Sequence, residues 1–277
     1  MRIMSVENEN YRLTQIDIKG NGGGTYIAPK SDIRKVTKFY PTVVDNFFDN
    51  PDFIRQFGLS LPKQPDNQGR WPGKRSRPIH EINDQLSCSI LLKVFSVYFD
   101  LSYQNVNWTS SKVYFQQISK YDNSKQSDKN IGWIHTDTDE SFAGLVYLNP
   151  KIDIDCGTSI HRIKDGERYE TFKRQYEKHD LYLNKNISDE EYSNGIKENN
   201  SHFEETINFG NVYNRLITYD ANEYHKANNF FTEGEDRLTL VFFVNGIDVD
   251  KWPLDRVRDK NSYDNFIERK IKNLRTI

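Results

Sequence analysis

The sequence predicts an α+β fold, mainly β and built around a β-sandwich. Two helical patterns come first, within residues 41–104, and four short segments rich in β-branched and aromatic residues follow within 105–247. Helices that precede strands, instead of alternating with them, are typical of α+β folds. We therefore predict a single domain over 1–277 in which N-terminal helices support a sandwich core.

Two helix starts are marked by capping residues. Asn50 stands before Pro51 and Asp52, which combines a capping side chain, a proline at the first helical position and an early acid. Asn83 opens the second helix, whose apolar residues recur at helical spacing. These residues are Leu86, Ile90, Leu91, Val94, Val97 and Tyr98.

The predicted core strands enclose a polar insert, at about 165–209. The insert holds two helical patterns, and the second opens with Ser188 and Glu191, a capping box. We expect residues 1–40 to be irregular and 248–277 to form a C-terminal helix. The predicted strands are Val113–Ile118, Ala143–Leu148, Leu216–Tyr219 and Leu238–Val244.

Composition excludes several classes of protein. Aromatic residues make up 13% of the chain, which argues against disorder, and the net charge of -2 gives no bulk attraction to nucleic acid. Two cysteines cannot form a disulfide framework. No apolar stretch has the length of a membrane span or of a signal peptide. We expect a soluble, cytoplasmic protein, and its oligomeric state stays open.

A candidate metal site begins at His135 and Asp137. In an extended segment, residues two apart project to the same side, so these two side chains can bind one ion. His225, which follows a predicted strand and a turn, is the preferred third ligand. Two histidines and one carboxylate form the facial triad of Fe(II) oxygenases. A solvated Asp137 and His161 as the third ligand are the alternatives, and His80, His179 and His202 lack ligand spacing.

Arg237 stands at the head of an apolar strand. A guanidinium in that position needs an anionic partner, which a carboxylate ligand would provide through a two-pronged hydrogen bond. Thr239 lies on the same side of the strand and offers a third hydrogen bond. The alternative is a surface ion pair of Arg237 with Glu235 or Asp236.

In their order, these motifs resemble the 2-oxoglutarate/Fe(II) oxygenases, and the nearest branch is the prolyl-hydroxylase-like one. Three further segments resemble oxygenases of marine and cyanobacterial phages, namely 45–51, 69–75 and 142–150. The motifs are His135-x-Asp137, Tyr147-Leu148-Asn149, Gly157-Thr158, His225 and Arg237-x-Thr239.

The resemblance implies a double-stranded β-helix, or jelly roll. It implies Fe(II) held by His135, Asp137 and His225, with 2-oxoglutarate and O2 as co-substrates and ascorbate as a candidate reductant. The distal carboxylate of 2-oxoglutarate would meet Arg237 and Tyr147. Decarboxylation to succinate would be coupled to C–H oxidation, and the presence of Asp137 favours hydroxylation over halogenation.

The primary substrate is left open by the sequence. A basic loop offers Arg70, Trp71, Lys74 and Arg75 as contacts for a phosphate or an acidic peptide, although a solvated surface loop remains the plainer reading. A protein side chain, a free amino acid, a nucleobase or a small metabolite would all be compatible. The alternative function is a non-catalytic jelly-roll module that binds a ligand or belongs to a virion.

Overall fold

The computed structural model describes residues 2–8, 11–18, 24–26, 38–137, 141–166, 169, 178 and 188–254. The chain divides into two compact units, Met1–Lys38 and Phe39–Ile277. None of the helices in these described stretches combines the length and the apolar character that a membrane crossing requires.

The first unit is a three-stranded antiparallel sheet, in the order β1-β2-β3. The expectation that residues 1–40 are irregular is therefore wrong for these strands. A strand ladder uses main-chain groups, which every residue except proline carries in full, so a polar composition does not exclude it. The strands are β1 (Arg2–Asn8), β2 (Tyr11–Ile18) and β3 (Gly24–Tyr26).

Both predicted helices of the second unit are present, namely α1 (Pro51–Ser60) and α2 (Asp84–Phe95). Asn50 accepts a hydrogen bond from the Phe53 amide, and Asn83 accepts one from Leu86. Side-chain caps of this kind satisfy amides that the first helical turn leaves without partners. The residues that were predicted from the capping signals are therefore the ones that begin these helices.

The strands of the second unit form two principal sheets. Among the described residues, the larger sheet is antiparallel with the order β4-β12-β9-β14-β8-β6-β5, and the smaller is β11-β10-β13. A short β15-β7 pair is separate. The strands are β4 (Thr42–Val44), β5 (Lys63–Pro65), β6 (Lys74–Ser76), β7 (Val106–Asn107), β8 (Ser110–Ile118), β9 (Phe142–Tyr147), β10 (Thr158–Ile163), β11 (Phe203–Phe209), β12 (Leu216–Asp220), β13 (Tyr224–Ala227), β14 (Arg237–Asn245) and β15 (Asp248–Val249).

The four predicted core strands are confirmed as parts of β8, β9, β12 and β14, and the two sheets pack as a jelly roll. Val241 and Leu145 of the larger sheet pack with Ile160 of the smaller one. On its other face, the larger sheet packs against α2 through Leu240 and Phe242. β14 is therefore covered on both faces, as its unbroken apolar run predicts.

The polar insert is only partly helical. The capping box at Ser188 begins α3 (Asp189–Ser201), as predicted, but Phe203–Phe209 is the strand β11 and not part of a helix. β11 lies at the edge of the smaller sheet with most of its residues exposed, so its polar composition resembled that of an insert. The first helical pattern of the insert lies outside the described residues.

Two other predicted segments contain strands that the sequence patterns did not indicate. The supporting segment 41–104 contributes β4, β5 and β6 to the larger sheet, in addition to its helices. The predicted C-terminal helix begins instead with β15 at Asp248–Val249, and residues 255–277 lie outside the described part of the chain.

Gly157 leads into β10 at a point where the chain leaves no room for a side chain. A Cβ built at this position would lie 1.8 Å from the carbonyl oxygen of Phe209. Its φ of -80° is ordinary, so glycine is required here by the close approach of β11 and not by backbone conformation.

We predict that Gly157→Ala destabilises the protein by about 3 kcal/mol or more, at the upper end of over-packing costs, because the backbone of β10 or β11 has to move. Urea denaturation measures this change in the free energy of unfolding. Gly234→Ala is the control, since its φ is +88° and nothing lies within 4 Å of the added Cβ. Gly234→Ala should lower the free energy of unfolding by about 1 kcal/mol, through backbone strain alone. An equal cost for the two variants would contradict the steric argument.

Candidate metal centre

Three predicted ligands lie together at one end of the sandwich. One donor atom from each of His135, Asp137 and His225 falls within 4.8 Å of the other two. Nε2 of His225 is 3.4 Å from one carboxylate oxygen of Asp137, and Nε2 of His135 is 3.8 Å from the other. Among the described residues, no other group of His, Cys, Asp and Glu has this spacing.

The two histidines are held by reciprocal main-chain hydrogen bonds. The His135 amide donates to the His225 carbonyl at 3.0 Å, and the His225 amide donates back at 2.8 Å. Residues directly opposite each other in an antiparallel pair project to the same side. The imidazole rings accordingly lie 4.5 Å apart between centroids.

Each imidazole is oriented so that Nε2 is available to a ligand. Nδ1 of His135 donates to the Trp133 carbonyl at 2.8 Å, and Nδ1 of His225 donates to the Glu223 carbonyl at 2.9 Å. Carbonyl bonds of this kind fix the tautomer of metal-binding histidines. Burial, together with the charge of Lys178, holds the pKa of His135 well below its ordinary value, which keeps its ring neutral.

Asp137 completes the group. Its amide donates to the Ala221 carbonyl at 2.9 Å, which fixes the backbone beside β12. The Oδ2 atom is buried and receives no hydrogen bond from any described residue. A buried carboxylate oxygen without a donor is costly unless a cation is bound beside it. The residues therefore fit a divalent metal ion.

The insert helix α3 supports the segment that carries His135. Asn199 donates to the Ile134 carbonyl at 3.1 Å, and Asn200 donates to the Gly132 carbonyl at 3.1 Å. Asn200 also accepts a bond from the Ile134 amide at 3.0 Å. The insert therefore holds the backbone next to the predicted ligands, a role that no sequence pattern indicated.

His161, the rival third ligand, lies on the wrong face of the smaller sheet. In β10, Ile160 pairs with His225 and packs between the two sheets, so the next residue points away from them. Nε2 of His161 bonds to the Ser159 hydroxyl at 2.8 Å. The structure brings His225, and not His161, to the other two predicted ligands.

The candidate metal centre opens into a cavity of about 390 Å³ between the two sheets. Leu145, Val241 and Phe243 of the larger sheet contribute apolar lining, and Thr158 lines it from the smaller one. A cavity of this size that combines apolar walls with polar and charged groups has the dimensions of a small-molecule site.

Arg237 lines the same cavity and is 2% exposed. Its Nε donates to the Cys156 carbonyl at 3.2 Å, while its Nη2 is buried and meets no acceptor among the described residues. Burial lowers its pKa, although an arginine stays charged at neutral pH. The cavity therefore contains a desolvated positive charge without a carboxylate.

The surface ion pair that the sequence offered for Arg237 is wrong. Glu235 pairs instead with Arg55 at 2.5 Å. Asp236 accepts a hydrogen bond from Gln117 at 2.8 Å. Both acids lie just before β14 begins, whereas the first residue of β14 turns into the sandwich.

Tyr147 and Thr239 lie opposite each other on β9 and β14. The Tyr147 hydroxyl donates to Thr158 at 2.8 Å, and its ring centroid is 5.5 Å from the Arg237 guanidinium carbon. Burial raises the pKa of Tyr147, so the hydroxyl stays a neutral donor. The Thr239 hydroxyl is buried without a partner among the described residues. The structure thus brings the three predicted co-substrate contacts to one region.

The basic loop is divided between two environments. Arg70, Trp71 and Arg75 line the cavity, but Lys74 does not, because it and Arg75 are neighbours on β6 and point to opposite sides. Arg70 forms an ion pair with Asp66 at 2.9 Å. Among the predicted substrate contacts, Lys74 is therefore the one that the structure leaves outside the cavity.

Lys178 is a lining residue that sequence reasoning missed. It is 6% exposed, and burial lowers its pKa to about 8, against the opposing effect of the Asp137 charge. It comes from the polar insert, where one lysine among many carries no distinguishing pattern. No signal in a single sequence could have selected it.

Comparison with protein families gives one assignment. The model described as "Family of unknown function (DUF6445)" matches residues 31–231, which is more than half of the chain. This chain belongs to that family. No curated protein matches this DUF6445 chain.

Three solved structures are similar to this chain in fold. HygX from Streptomyces hygroscopicus, with nickel and 2-oxoglutarate bound, is 11% identical at a TM-score of 0.46, over 74% of this chain and 82% of HygX. A Pseudomonas putida prolyl-4-hydroxylase is 11% identical at 0.42, over 74% and 91%. EvdO2 from Micromonospora carbonacea var. aurantiaca is 8% identical at 0.44, over 77% and 89%. At these scores the likeness carries no functional argument, so function is argued from this chain's own residues.

We predict that the purified protein binds about one Fe(II) or Mn(II) per chain, as a single facial triad requires. His135→Ala should lose the metal, because two remaining donors hold an ion poorly. Metal analysis after desalting measures this. His161→Ala is the matched control, which removes a buried histidine from the same sandwich. Equal metal content in His135→Ala and the wild type would contradict the assignment of His135 as a metal ligand.

Proposed function

We propose that this protein is an Fe(II)- and 2-oxoglutarate-dependent oxygenase that hydroxylates a substrate. One observation carries the proposal. A single cavity is lined by two histidines and an aspartate with free donor atoms, and also by the buried guanidinium of Arg237. A plain binding pocket has no need of both features.

His135, Asp137 and His225 would hold the metal. The donor set by itself also resembles catalytic zinc sites, in which two histidines and a carboxylate are common. The Arg237 end of the cavity supports iron, because it supplies an anchor for a dicarboxylate. When bound, Fe(II) supplies the redox chemistry with O2 that couples decarboxylation of 2-oxoglutarate to oxidation of a C–H bond.

Arg237 would bind the distal carboxylate of 2-oxoglutarate. Its Nη2 lacks an acceptor, and a carboxylate is the acceptor that a planar guanidinium matches best. Thr239 would donate a second hydrogen bond through its unpartnered hydroxyl. Tyr147, on the neighbouring strand β9, would turn its neutral hydroxyl from Thr158 towards the carboxylate. These residues would orient the co-substrate along the floor of the cavity.

The walls of the cavity would limit water around the reacting groups. Leu145 and Val241 present apolar side chains beside the polar anchor, and Phe230 lines the cavity as well. Electrostatic interactions strengthen where water is excluded. The same walls would keep the oxidised C–H bond near the metal and away from solvent.

A non-catalytic jelly-roll module is the competing function. It would have no need for a buried arginine, a threonine hydroxyl and a carboxylate oxygen that all lack partners, since each such group lowers stability in the absence of a ligand. No observation on the described residues favours this alternative over the oxygenase.

With ascorbate present, we expect the Fe(II)-loaded protein to convert 2-oxoglutarate into succinate slowly without added substrate, because ascorbate supplies the two electrons that the substrate C–H bond would otherwise provide. His225→Ala should abolish the conversion, because it removes one metal donor. Proton NMR of the reaction mixture measures both compounds under air. His161→Ala should retain the conversion. A protein that binds the metal but neither binds nor consumes 2-oxoglutarate would support the non-catalytic module instead.

We expect Arg237→Ala to keep its metal but to bind 2-oxoglutarate about thirtyfold more weakly or worse, which corresponds to about 2 kcal/mol or more for a lost charge-assisted pair. Arg237→Lys should recover part of the affinity, because lysine keeps the charge but loses the planar fork. The dependence of succinate formation on 2-oxoglutarate concentration measures the effect.

Arg162→Ala is the control for Arg237→Ala. Arg162 forms an exposed ion pair with Glu204 at 2.5 Å, away from the cavity, so its loss should leave 2-oxoglutarate affinity unaltered. If Arg237→Ala behaved like Arg162→Ala, Arg237 would have a structural role only, and the co-substrate assignment would lose its main support.

A further inference from the structure

The arginines whose side chains are described fall into two groups. Five of them form ion pairs with a carboxylate, and two, Arg75 and Arg237, have none among the described residues. Both exceptions line the cavity of the candidate metal centre. The pairs are Arg55–Glu235, Arg70–Asp66, Arg77–Glu81, Arg162–Glu204 and Arg215–Asp45.

Arg75 is held by aromatic rings and one amide. Its guanidinium carbon lies 4.4 Å from the Trp71 ring centroid, 5.2 Å from that of Phe243 and 5.5 Å from that of Tyr114. Nη2 donates to the Gln116 amide oxygen at 3.2 Å, and Nε is buried without an acceptor among the described residues. Rings position a cation well but do not neutralise it. The guanidinium of Arg75 is therefore fixed in orientation, but its charge has no carboxylate and its Nε has no acceptor among the described residues.

Arg75 and Arg237 belong to different parts of the cavity floor. In the sheet register, Arg75 lies opposite Gln116, which lies opposite Thr239, whereas Arg237 lies opposite Ile118. Arg75 is therefore two strands away from β14, on β6 near the edge of the sheet. A ligand carboxylate held by Arg237 would leave Arg75 for a second anion.

The charges of the cavity point the same way. Its described lining has one acidic side chain, Asp137, and three basic side chains without an ion pair among the described residues, namely Arg75, Lys178 and Arg237. Asp137 neutralises one of the two positive charges of the metal ion. The two negative charges of 2-oxoglutarate would neutralise the other one and the charge of Arg237. Arg75 would stay uncompensated beside the buried Lys178, and an unpaired buried cation is unfavourable.

We propose that the primary substrate is a small carboxylic acid whose carboxylate binds Arg75. This inference rests on the proposed oxygenase function, because it presupposes that 2-oxoglutarate occupies Arg237. A carboxylate matches the planar donors of the guanidinium in a way that a neutral substrate would not. Trp71 and Tyr114 would orient Arg75, and the cavity, which 2-oxoglutarate partly fills, has room for a small acid.

The test uses the protein saturated with Mn(II) and 2-oxoglutarate, so that Arg237 is already engaged. Sodium acetate and the neutral isostere acetamide are titrated in at constant ionic strength. The readout is tryptophan fluorescence, because Trp71 lies against Arg75, and Trp71→Phe identifies its share of the signal. We expect acetate to bind about tenfold or more tightly than acetamide, the size of one charge-assisted hydrogen bond.

Arg75→Gln should bring acetate and acetamide to near parity, and Arg75→Lys should keep part of the preference. Arg77→Gln is the matched control, because Arg77 comes directly after β6, is exposed and pairs with Glu81. A preference for acetate that survives in Arg75→Gln, or that is missing from the wild type, would overturn the proposal. Inorganic phosphate that binds more tightly than acetate would overturn the choice of a carboxylate.

Affinity for 2-oxoglutarate is measured in parallel, from the change in tryptophan fluorescence when 2-oxoglutarate is titrated into the Mn(II)-loaded protein. If Arg75→Gln lost that affinity as strongly as Arg237→Ala, Arg75 would belong to the co-substrate site and the present proposal would fail. If the wild type bound no 2-oxoglutarate at all, the proposed oxygenase function would fail first. The two failures are therefore distinguishable.

Discussion

The candidate site depends on one main-chain interaction, the reciprocal hydrogen bonds between His135 and His225. These bonds place two side chains that are ninety residues apart in sequence directly opposite each other on the same side of the smaller sheet. The carbonyl bonds to the two Nδ1 atoms then determine which nitrogen of each ring points inward. Pre-arranged donors of this kind lower the ordering cost when a ligand binds.

Two elements outside the smaller sheet complete this arrangement. The larger sheet supplies the cavity floor, since β14 packs against α2 with Leu240 while Val241 faces the cavity. The insert helix supplies Asn199 and Asn200, which bond to the backbone just before His135. The site is therefore built from the smaller sheet, the larger sheet and the insert helix. They contribute main-chain hydrogen bonds, side-chain packing and side-chain hydrogen bonds to the backbone, respectively.

Much of this could be predicted from local sequence patterns. Caps at Asn50, Asn83 and Ser188 marked helix starts, and period-two spacing put His135 beside Asp137. What failed depended on long-range pairing or on weak patterns. The polar edge strand β11 carries little burial, so hydrophobic periodicity could not reveal it. By contrast, His225 was preferred over His161 because a strand headed by Arg237 follows it, and the structure brings His225 to the other two predicted ligands. Only the strand register, which a single sequence does not contain, shows why His161 points away.

The imbalance of charge in the cavity has a thermodynamic consequence. The lining holds three basic side chains without an ion pair among the described residues, Arg75, Lys178 and Arg237, so a divalent cation enters a field that Asp137 offsets only in part. A bound dianion reverses that field, so each ligand raises the affinity for the other by the same factor. Metal occupancy would then respond to the supply of the anion, and the empty and fully loaded proteins would be populated at the expense of the half-loaded one.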